Sequence, residues 1–256
     1  MDKYLITTVQ NAITILRLFT KEQPEWNLSD ISRAIDLSTS STNRLLTTLA
    51  EHGYLQKNKK TKRYSLGFSI LTLSGIIKTT MIIHREARPV MENLVQQLGH
   101  SVHLGILEGT DIVYLEKLET PHPVRLNSHI GKKNPAYCTG CGKIILAFQQ
   151  KDAFKSTLAQ IEAIGFQSFG KNTVKNSDEL SVHLDKIRRQ GYSVCVNEFH
   201  QGVSIGAPIY DYSGQVVAAV SVTGWESQIH VQDIPYLTGH VVEASKKISN
   251  RLGHYF

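Results

Sequence analysis

Residues 28–55, LSDISRAIDLSTSSTNRLLTTLAEHGYL, constrain the fold more than any other stretch of the chain. Apolar residues recur at helical spacing in both halves of this stretch, and the three residues DLS between them leave room only for a tight turn. Ser38 is a suitable N-cap for the second helix, and Gly53 is the expected stop after it. Two short helices joined by a tight turn are typical of a helix-turn-helix.

The segment that follows predicts a basic hairpin. YLQKN (54–58) and RYSLG (63–67) have strand character, and KKTK separates them. Taken alone, this segment is also compatible with a solvated basic loop. Together with the apolar periodicity of residues 9–19, which predicts a preceding helix, it indicates a winged helix-turn-helix domain over residues 1–66. Five cations and no acid lie in the hairpin: Lys57, Lys59, Lys60, Lys62 and Arg63.

The charge of the chain is concentrated in its first third. The formal net charge is +6, yet residues 1–80 hold 11 Lys and Arg against 6 Asp and Glu. The remaining residues are almost neutral. This asymmetry is expected when one domain meets a polyanion and the other does not, and it favours double-stranded DNA as a partner.

The pattern changes twice after the hairpin. Residues 67–82 are apolar almost all round, which predicts a linker helix that packs against another subunit or domain. Another amphipathic helix leads to Gly99, beyond which alternating strands are interspersed with helices. VRLNSHIG (124–131) is one of the predicted strands. Residues 83–256 therefore predict an α+β domain built on a mainly antiparallel central sheet.

Catalytic signatures are missing from the sequence, so we expect no enzyme and no cofactor. No H-E-x-x-H and no glycine-rich phosphate loop occurs. Cys138, Cys141 and Cys195 are too few for a disulfide framework, and no further motif completes a metal site. A structural or cavity-lining role is favoured for them, with metal and redox roles left open. The chain shows neither a signal sequence nor an apolar run of about 18 residues, so a cytoplasmic protein without membrane contact is expected.

NPAYCTGCGKIILAF (134–148) predicts a small-molecule site. A turn of small residues runs directly into a helix, and the free N–H groups of a helix N-terminus suit carboxylates and phosphates. Gly140 and Gly142 would let a ligand approach the backbone, and Lys143 would add positive charge at the same end. A tight turn that simply requires glycine is the alternative interpretation.

These segments, in this order, resemble the IclR family of bacterial transcriptional regulators. The resemblance rests on NAITILRLFT, the helix-turn-helix stretch, RYSLG, CTGCGKIILA, RRQGYSVCVNEF and GAPIYDYSGQVVAAVSVTG, which span nearly the whole chain. It implies a GAF-like effector-binding and oligomerisation domain over residues 83–256, assembly as a homodimer or homotetramer, and control by a small organic or sugar-derived acid. The effector contacts it implies are Thr139, Gly140, Cys141, Gly142, Cys195, Asn197, Glu198, Ser221 and Thr223.

The chain also departs from the family pattern. Cys141 stands where many members carry alanine before GK, and Cys195-Val196-Asn197 precedes Glu198 where acidic residues are usual. We therefore expect an altered pocket and an effector unlike those of the family's founding members.

The sequence thus predicts a sequence-specific DNA-binding regulator, expected to be a repressor, on a pseudo-palindromic operator. Asn43 and Arg44 are best suited to base edges, and the wing supplies the salt-dependent part of the affinity. A cysteine-based redox or metal sensor, or an enzyme using the second domain, is the alternative. The predicted DNA contacts are Ser38, Thr39, Ser40, Ser41, Thr42, Asn43, Arg44, Thr47, Lys57, Lys59, Lys60, Lys62, Arg63 and Tyr64.

Overall fold

The structure, a computed structural model, describes residues 5–120 and 128–256. The chain divides into two compact units, Met1–Thr80 and Met81–Phe256. The elements of the first unit are α1 (Thr7–Arg17), α2 (Leu28–Ala34), α3 (Thr39–Glu51), β1 (Leu55–Lys57), β2 (Tyr64–Leu66) and α4 (Phe68–Thr80).

The first unit is a winged helix-turn-helix with a small core. One buried apolar side chain comes from each of α1, α2, α3, β1 and β2, and all five pack into a single cluster. The two strands pair antiparallel, with Leu55 opposite Leu66. The core residues are Ile15, Ile31, Leu46, Leu55 and Tyr64.

Helix caps fix the turn between α2 and α3 as the sequence predicts. The Ser38 hydroxyl accepts a hydrogen bond from the backbone N–H of Ser41 at 3.2 Å, which satisfies one of the free donors of the first turn of α3. Asn27 caps α2 in the same way. After α3, Gly53 adopts a positive φ of 72°, which ends the helix and turns the chain into β1.

The second unit is built on one antiparallel sheet of six strands in the order β5-β4-β3-β8-β7-β6. Its helices are α5 (Ile82–Leu98), α6 (Gly140–Phe148), α7 (Lys151–Ile164), α8 (Ser177–Gln190) and α9 (Ile234–Arg251). Its strands are β3 (Ser101–Glu108), β4 (Asp111–Leu118), β5 (Lys133–Pro135), β6 (Ser193–Val196), β7 (Gly202–Tyr210) and β8 (Val216–Trp225).

Helices cover both faces of this sheet. The inward faces of α5 and α9 pack with alternate residues of β3, β7 and β8 in one apolar cluster. α6, α7 and α8 form a second cluster on the opposite face. α6 is almost wholly buried, Lys143 included, and it packs against both the sheet and the outer helix α8.

The helix predicted over residues 67–82 is present as α4, which ends at Thr80 before a break at Met81. Its role as a linker stays a prediction. Pro89 lies inside α5, which begins at Ile82. Residues 124–127 of the predicted strand lie outside the described residues, and residues 128–131 are not a strand.

Among the described residues, no helix is long and apolar enough to cross a membrane.

Candidate nucleic-acid interface and effector cavity

The exposed face of α3 carries most of the predicted DNA contacts. Asn43 and Arg44 are exposed, and so are the residues Ser38 to Ser41 at the start of the helix. Arg44 lines a shallow groove with Thr8 and Asn11 of α1, which places further polar side chains beside it. The other exposed members of the predicted set on or before α3 are Ser38, Thr39, Ser40, Ser41 and Thr47.

Two predicted contacts are corrected by the structure. Thr42 is completely buried, because it lies one helical turn before Leu46 on the core side of α3. Tyr64 is 2% exposed, and its backbone pairs with Trp26 while its ring fills the core. Neither side chain is available to a nucleic acid in this structure.

The wing presents its cations to solvent from an ordered tip. The Asn58 side-chain oxygen accepts hydrogen bonds from the N–H groups of Lys60 and Thr61, which closes the turn. The Lys57 ammonium lies 5.0 Å from the centre of the Tyr64 ring, so Tyr64 contributes to the wing by positioning a cation. All five predicted wing cations are exposed: Lys57, Lys59, Lys60, Lys62 and Arg63.

The second unit contains a cavity at the N-terminus of α6. Strands β3, β4, β7 and β8 provide one wall, and the turn before α6 provides another. The lining combines aromatic rings with hydroxyl, amide and thiol groups, a mixture suited to a small organic ligand. The lining residues are His103, Tyr114, Ser128, Asn134, Cys138, Thr139, Gly140, Cys195, Phe199, His200, Gly202, Ser204, Thr223 and Trp225.

Glycines bring the start of α6 against the sheet and the preceding turn. A Cβ added at Gly140 would lie 2.4 Å from the Ser204 hydroxyl oxygen, and one at Gly142 would lie 2.2 Å from the Ala136 carbonyl oxygen. Thr139 caps the helix, because its hydroxyl accepts from the N–H of Gly142 at 3.2 Å. The close packing therefore requires glycine at 142, as the alternative interpretation of the turn proposed, and the predicted ligand contact of Gly142 stays a prediction.

The cavity end formed by β3 and β4 is held in an uncharged state. Burial, together with the nearby Lys117 charge, lowers the pKa of His103 to about 3. The imidazole is thus neutral at physiological pH, and its Nε2 lies 2.9 Å from the Ser128 hydroxyl oxygen. Burial also raises the pKa of Tyr114, whose hydroxyl accepts from the Asn134 amide at 3.4 Å.

Four of the nine predicted effector contacts line the cavity: Thr139, Gly140, Cys195 and Thr223. Cys141 and Ser221 face each other behind it, with Cys141 Sγ 3.1 Å from Ser221 Oγ. Asn197 donates to Glu226 at 2.8 Å and turns away from the ligand space. The other two residues outside the lining are Gly142 and Glu198.

Lys143 and Glu198 form a buried ion pair with each other. Lys143 is 1% exposed and contacts the Glu198 carboxylate, while its ammonium lies 2.6 Å from Nδ1 of His183 on α8. The Lys143 charge, predicted to face a ligand, is thus taken up by protein groups. This correction follows from the burial of α6 on all sides, which leaves a lysine there in need of a partner.

Sequence reasoning found Cys195 and Thr223 but missed the other strand residues of the cavity. Ser204 and Thr223 are direct cross-strand neighbours on β7 and β8, with their hydroxyl oxygens 3.2 Å apart. Because alternate residues of a strand share a face, the predicted Thr223 could have indicated Trp225 as well. His103, Tyr114 and Ser204 come from strands whose order in the sheet is not readable from local sequence.

The three thiols are buried and held in the protonated form. Burial raises the pKa of Cys141 to about 12 and that of Cys138 and Cys195 well above the ordinary value. A protonated thiol is a poor nucleophile and a poor metal ligand, which disfavours the redox and metal alternatives. Among the described residues, no group of three His, Cys, Asp or Glu is placed to hold a metal ion.

Comparison with known proteins decides the family. Residues 8–59 match the model of the IclR helix-turn-helix domain, and residues 76–250 match that of the bacterial transcriptional regulator IclR C-terminal domain. The chain belongs to the IclR family. This identification confirms the resemblance on which the sequence analysis relied, together with its fold class.

Full-length relatives and solved structures agree. The HTH-type transcriptional regulator KipR of Bacillus subtilis is 31% identical over 248 residues, covering 96% of this chain and 97% of that protein. The regulator XynR of Escherichia coli is 29% identical over 98% of both chains. The crystal structure of the Thermotoga maritima IclR has a TM-score of 0.80 and 28% identity, covering 97% of this chain and 99% of that one. As a member of this family, the chain is a DNA-binding regulator of transcription.

Proposed function

We propose that this IclR-family protein is a repressor that binds a pseudo-palindromic operator and releases or retains it according to the occupancy of the α6 cavity by a small organic or sugar-derived acid. It would act in the cytoplasm, where bacterial DNA lies. One observation carries the proposal: a chain with an exposed, cation-rich winged helix also holds, in a separate unit, an internal cavity at a helix N-terminus.

The first unit supports sequence reading by α3. Arg44 can donate two hydrogen bonds to guanine and Asn43 can pair with adenine in the major groove. The exposed hydroxyls of the first turn are short enough to let the helix approach phosphates closely. The wing lysines supply charge that carries no sequence information, which gives affinity that falls with salt.

Assembly into a homodimer or homotetramer is supported by unpartnered apolar side chains on the first unit. Val9 is 53% exposed on α1, and Phe68 and Leu71 are 74% and 68% exposed on α4. Apolar surface of this extent is typical of an interface between subunits. A two-fold pair of heads matches an operator with two half-sites related by the same symmetry.

The cavity supports an acidic ligand through the start of α6. The first-turn N–H groups of a helix have no intrahelical acceptors, and the helix dipole favours negative charge at this end. Thr139 and Gly140 place this end of the helix at the cavity, and Thr223 and Ser204 add hydroxyl groups opposite. Aromatic rings from Tyr114, Phe199 and Trp225 would cover the carbon skeleton.

The DNA-binding part of the proposal is tested by selecting bound duplexes from a random library. The most enriched duplex is then titrated with the protein in a mobility-shift assay. Arg44→Ala is expected to cost about 1–3 kcal/mol and to relax one operator position. Arg85→Ala removes a cation from the second unit and serves as the matched control. Retained affinity with an unchanged sequence preference in Arg44→Ala would contradict the assignment of this residue.

The effector part is tested separately, by a thermal-shift screen of organic and sugar acids. A compound that raises the midpoint temperature of unfolding of the second unit must also change the affinity of the protein for the operator. Thr223→Val must weaken binding of that compound, whereas Ser227→Ala must not. In transcription from a promoter carrying the selected operator, the protein is expected to reduce the transcript. Increased transcript would contradict repression, and acids that bind without changing operator affinity would contradict control through the cavity.

A further inference from the structure

The buried ion pair behind the cavity is a titratable cluster that neither DNA binding nor ligand contact uses. Lys143 is 1% exposed and Glu198 is 4% exposed, and the two are in direct contact. His183, half-buried on α8, completes the cluster on the side away from the cavity. Ion pairs this deeply buried are costly to desolvate and contribute little to the net stability of the fold.

Glu198 lies directly behind the cavity wall. Its chain neighbours Phe199 and His200 line the cavity, and so does Cys195, three residues before it. Lys143 follows the lining residue Thr139 by one turn of α6. Both charges of the pair therefore lie next to residues that form the cavity wall.

The electrostatic influence of the pair reaches two lining residues. Burial is the main cause of the raised pKa of Cys138 and of Cys195, and for both thiols Glu198 adds to the rise while Lys143 opposes it. The charges of Lys143 and Glu198 thus act on two side chains that line the cavity. In a protein interior such charges act over several ångströms because screening by water is weak.

We propose that the Lys143–Glu198 pair sets the charge preference of the effector cavity from behind its wall, with Lys143 as a specificity-determining residue that does not touch the ligand. Lys143 cancels the Glu198 carboxylate, which would otherwise repel an acid placed at the start of α6. This inference deepens the proposed function and rests on the cavity being the effector site.

The two partners make opposite predictions, which separates an electrostatic role from a structural one. Removing the cation in Lys143→Met leaves an unpaired carboxylate and makes the cavity less receptive to anions. Removing the anion in Glu198→Gln leaves an unpaired ammonium and makes it more receptive. The double variant Lys143→Met/Glu198→Gln removes both charges and returns the preference to that of the original protein. Loss of packing alone would shift both single variants in the same direction.

The experiment needs no knowledge of the effector. The cavity thiols of the full-length protein are alkylated at pH 8.5 with iodoacetate, which is anionic, and separately with iodoacetamide, which is neutral and of similar size. Peptide mass spectrometry gives the rate at Cys138 and at Cys195. The ratio of the two rates at one thiol reports the cavity potential, because access and thiol ionisation affect both reagents alike.

We expect the iodoacetate-to-iodoacetamide ratio to fall about fivefold in Lys143→Met and to rise about fivefold in Glu198→Gln. It should return to within about twofold of the original in the double variant. Unchanged ratios, or ratios that move the same way in both single variants, would overturn the proposal. Slow labelling is expected, because burial keeps both thiols protonated, and it affects the two reagents equally.

A second pair of variants covers the case in which a single buried substitution prevents folding. His183 is 44% exposed at its side chain and tolerates a charge. His183→Glu should lower the ratio and His183→Lys should raise it, by about twofold each. Val182→Glu, exposed on the same helix, is the matched control and should leave the ratio unchanged. If His183→Glu and His183→Lys change the iodoacetate-to-iodoacetamide ratio no more than this control does, the proposal is contradicted. This holds whatever the outcome of the operator and effector experiments.

Discussion

Two helices of this protein begin in the same way and end up in opposite surroundings. α3 and α6 each start with a hydroxyl residue, Ser38 or Thr139, that accepts a hydrogen bond at 3.2 Å from the N–H three residues on. The first turn of α3 is exposed, whereas that of α6 is buried. Local capping is therefore the same in both, and burial is what differs. Under the proposed function, the exposed start of α3 meets a large polyanion and the buried start of α6 meets a small molecule.

The largest difference between the two helix starts should appear when a residue of the first turn is replaced. Gly142→Val places carbon 2.2 Å from the Ala136 carbonyl oxygen, and we expect it to lower the free energy of unfolding of the second unit by about 3 kcal/mol. Ser40→Ala, in the exposed turn of α3, should change the first unit by less than about 0.5 kcal/mol.

Each unit carries its own fluorescent reporter for this comparison, since the two tryptophans of the chain are Trp26 and Trp225. Urea unfolding of Gly142→Val in a Trp26→Phe background follows the second unit, and Ser40→Ala in a Trp225→Phe background follows the first. A loss below about 1 kcal/mol for Gly142→Val would show that α6 does not need its close approach to the preceding turn.

The second largest difference should appear at low pH, which is expected to lower the stability of the second unit more than that of the first. The pKa of His103 is about 3 in the folded protein against an ordinary value of 6.5. Between these values the unfolded chain binds a proton that the folded unit excludes, so the stability of the second unit falls as the pH drops from about 6.5 towards 3. The contribution of His103 is at most about 1.4 kcal/mol per pH unit.

This pH dependence is measured as the urea midpoint of each tryptophan signal between pH 7 and pH 5. His103→Gln should flatten the slope of the second unit, although His100 and His183, whose pKa values burial also lowers, retain part of it. His52→Gln, exposed at the end of α3, is the matched control for the first unit. An unchanged slope in His103→Gln would contradict a neutral buried imidazole.

Removing the two caps should give a smaller contrast. Thr139→Ala leaves the Gly142 N–H without an acceptor in a buried place, and we expect a loss of about 1.5–2 kcal/mol in the second unit. Ser38→Ala exposes the Ser41 N–H to water, and the expected loss in the first unit is about 0.5–1 kcal/mol. Equal losses in urea unfolding would show that burial does not affect the strength of a cap here.

The smallest expected effect concerns the charge of the wing. Lys60→Ala should weaken binding of the selected operator by roughly threefold, equally for related sequences, and should reduce the salt slope by about 0.9. Lys246→Ala, a lysine of α9 in the second unit, is the matched control. A change of sequence preference in Lys60→Ala would mean that the wing reads bases, contrary to the division of roles proposed for α3 and the wing.

The first unit could be predicted from the sequence almost completely, because its signals are local. Periodicity, the Ser38 cap, the Gly53 stop and the basic hairpin each depend on residues a few positions apart. The errors there, Thr42 and Tyr64, are also local: Thr42 is spaced four residues from buried Leu46, a signal that the run of hydroxyl residues obscured.

The cavity could be predicted only in part, because it is assembled from distant strands. The turn before α6 indicated Thr139 and Gly140, since a helix start is a local feature. His103 and Ser204 enter from strands whose neighbours depend on the sheet order, which no local pattern encodes. The pairing of Lys143 with Glu198 joins residues 55 positions apart and follows from burial of α6 by the tertiary fold.

The contrast between the two helix starts is tested most directly by hydrogen exchange of the full-length protein, alone and with the selected operator duplex, followed by mass spectrometry. The account predicts that DNA slows exchange in peptides covering residues 38–48 and 57–63 and protects peptides covering residues 139–148 far less. Protection centred on α6, or none on α3, would contradict the account.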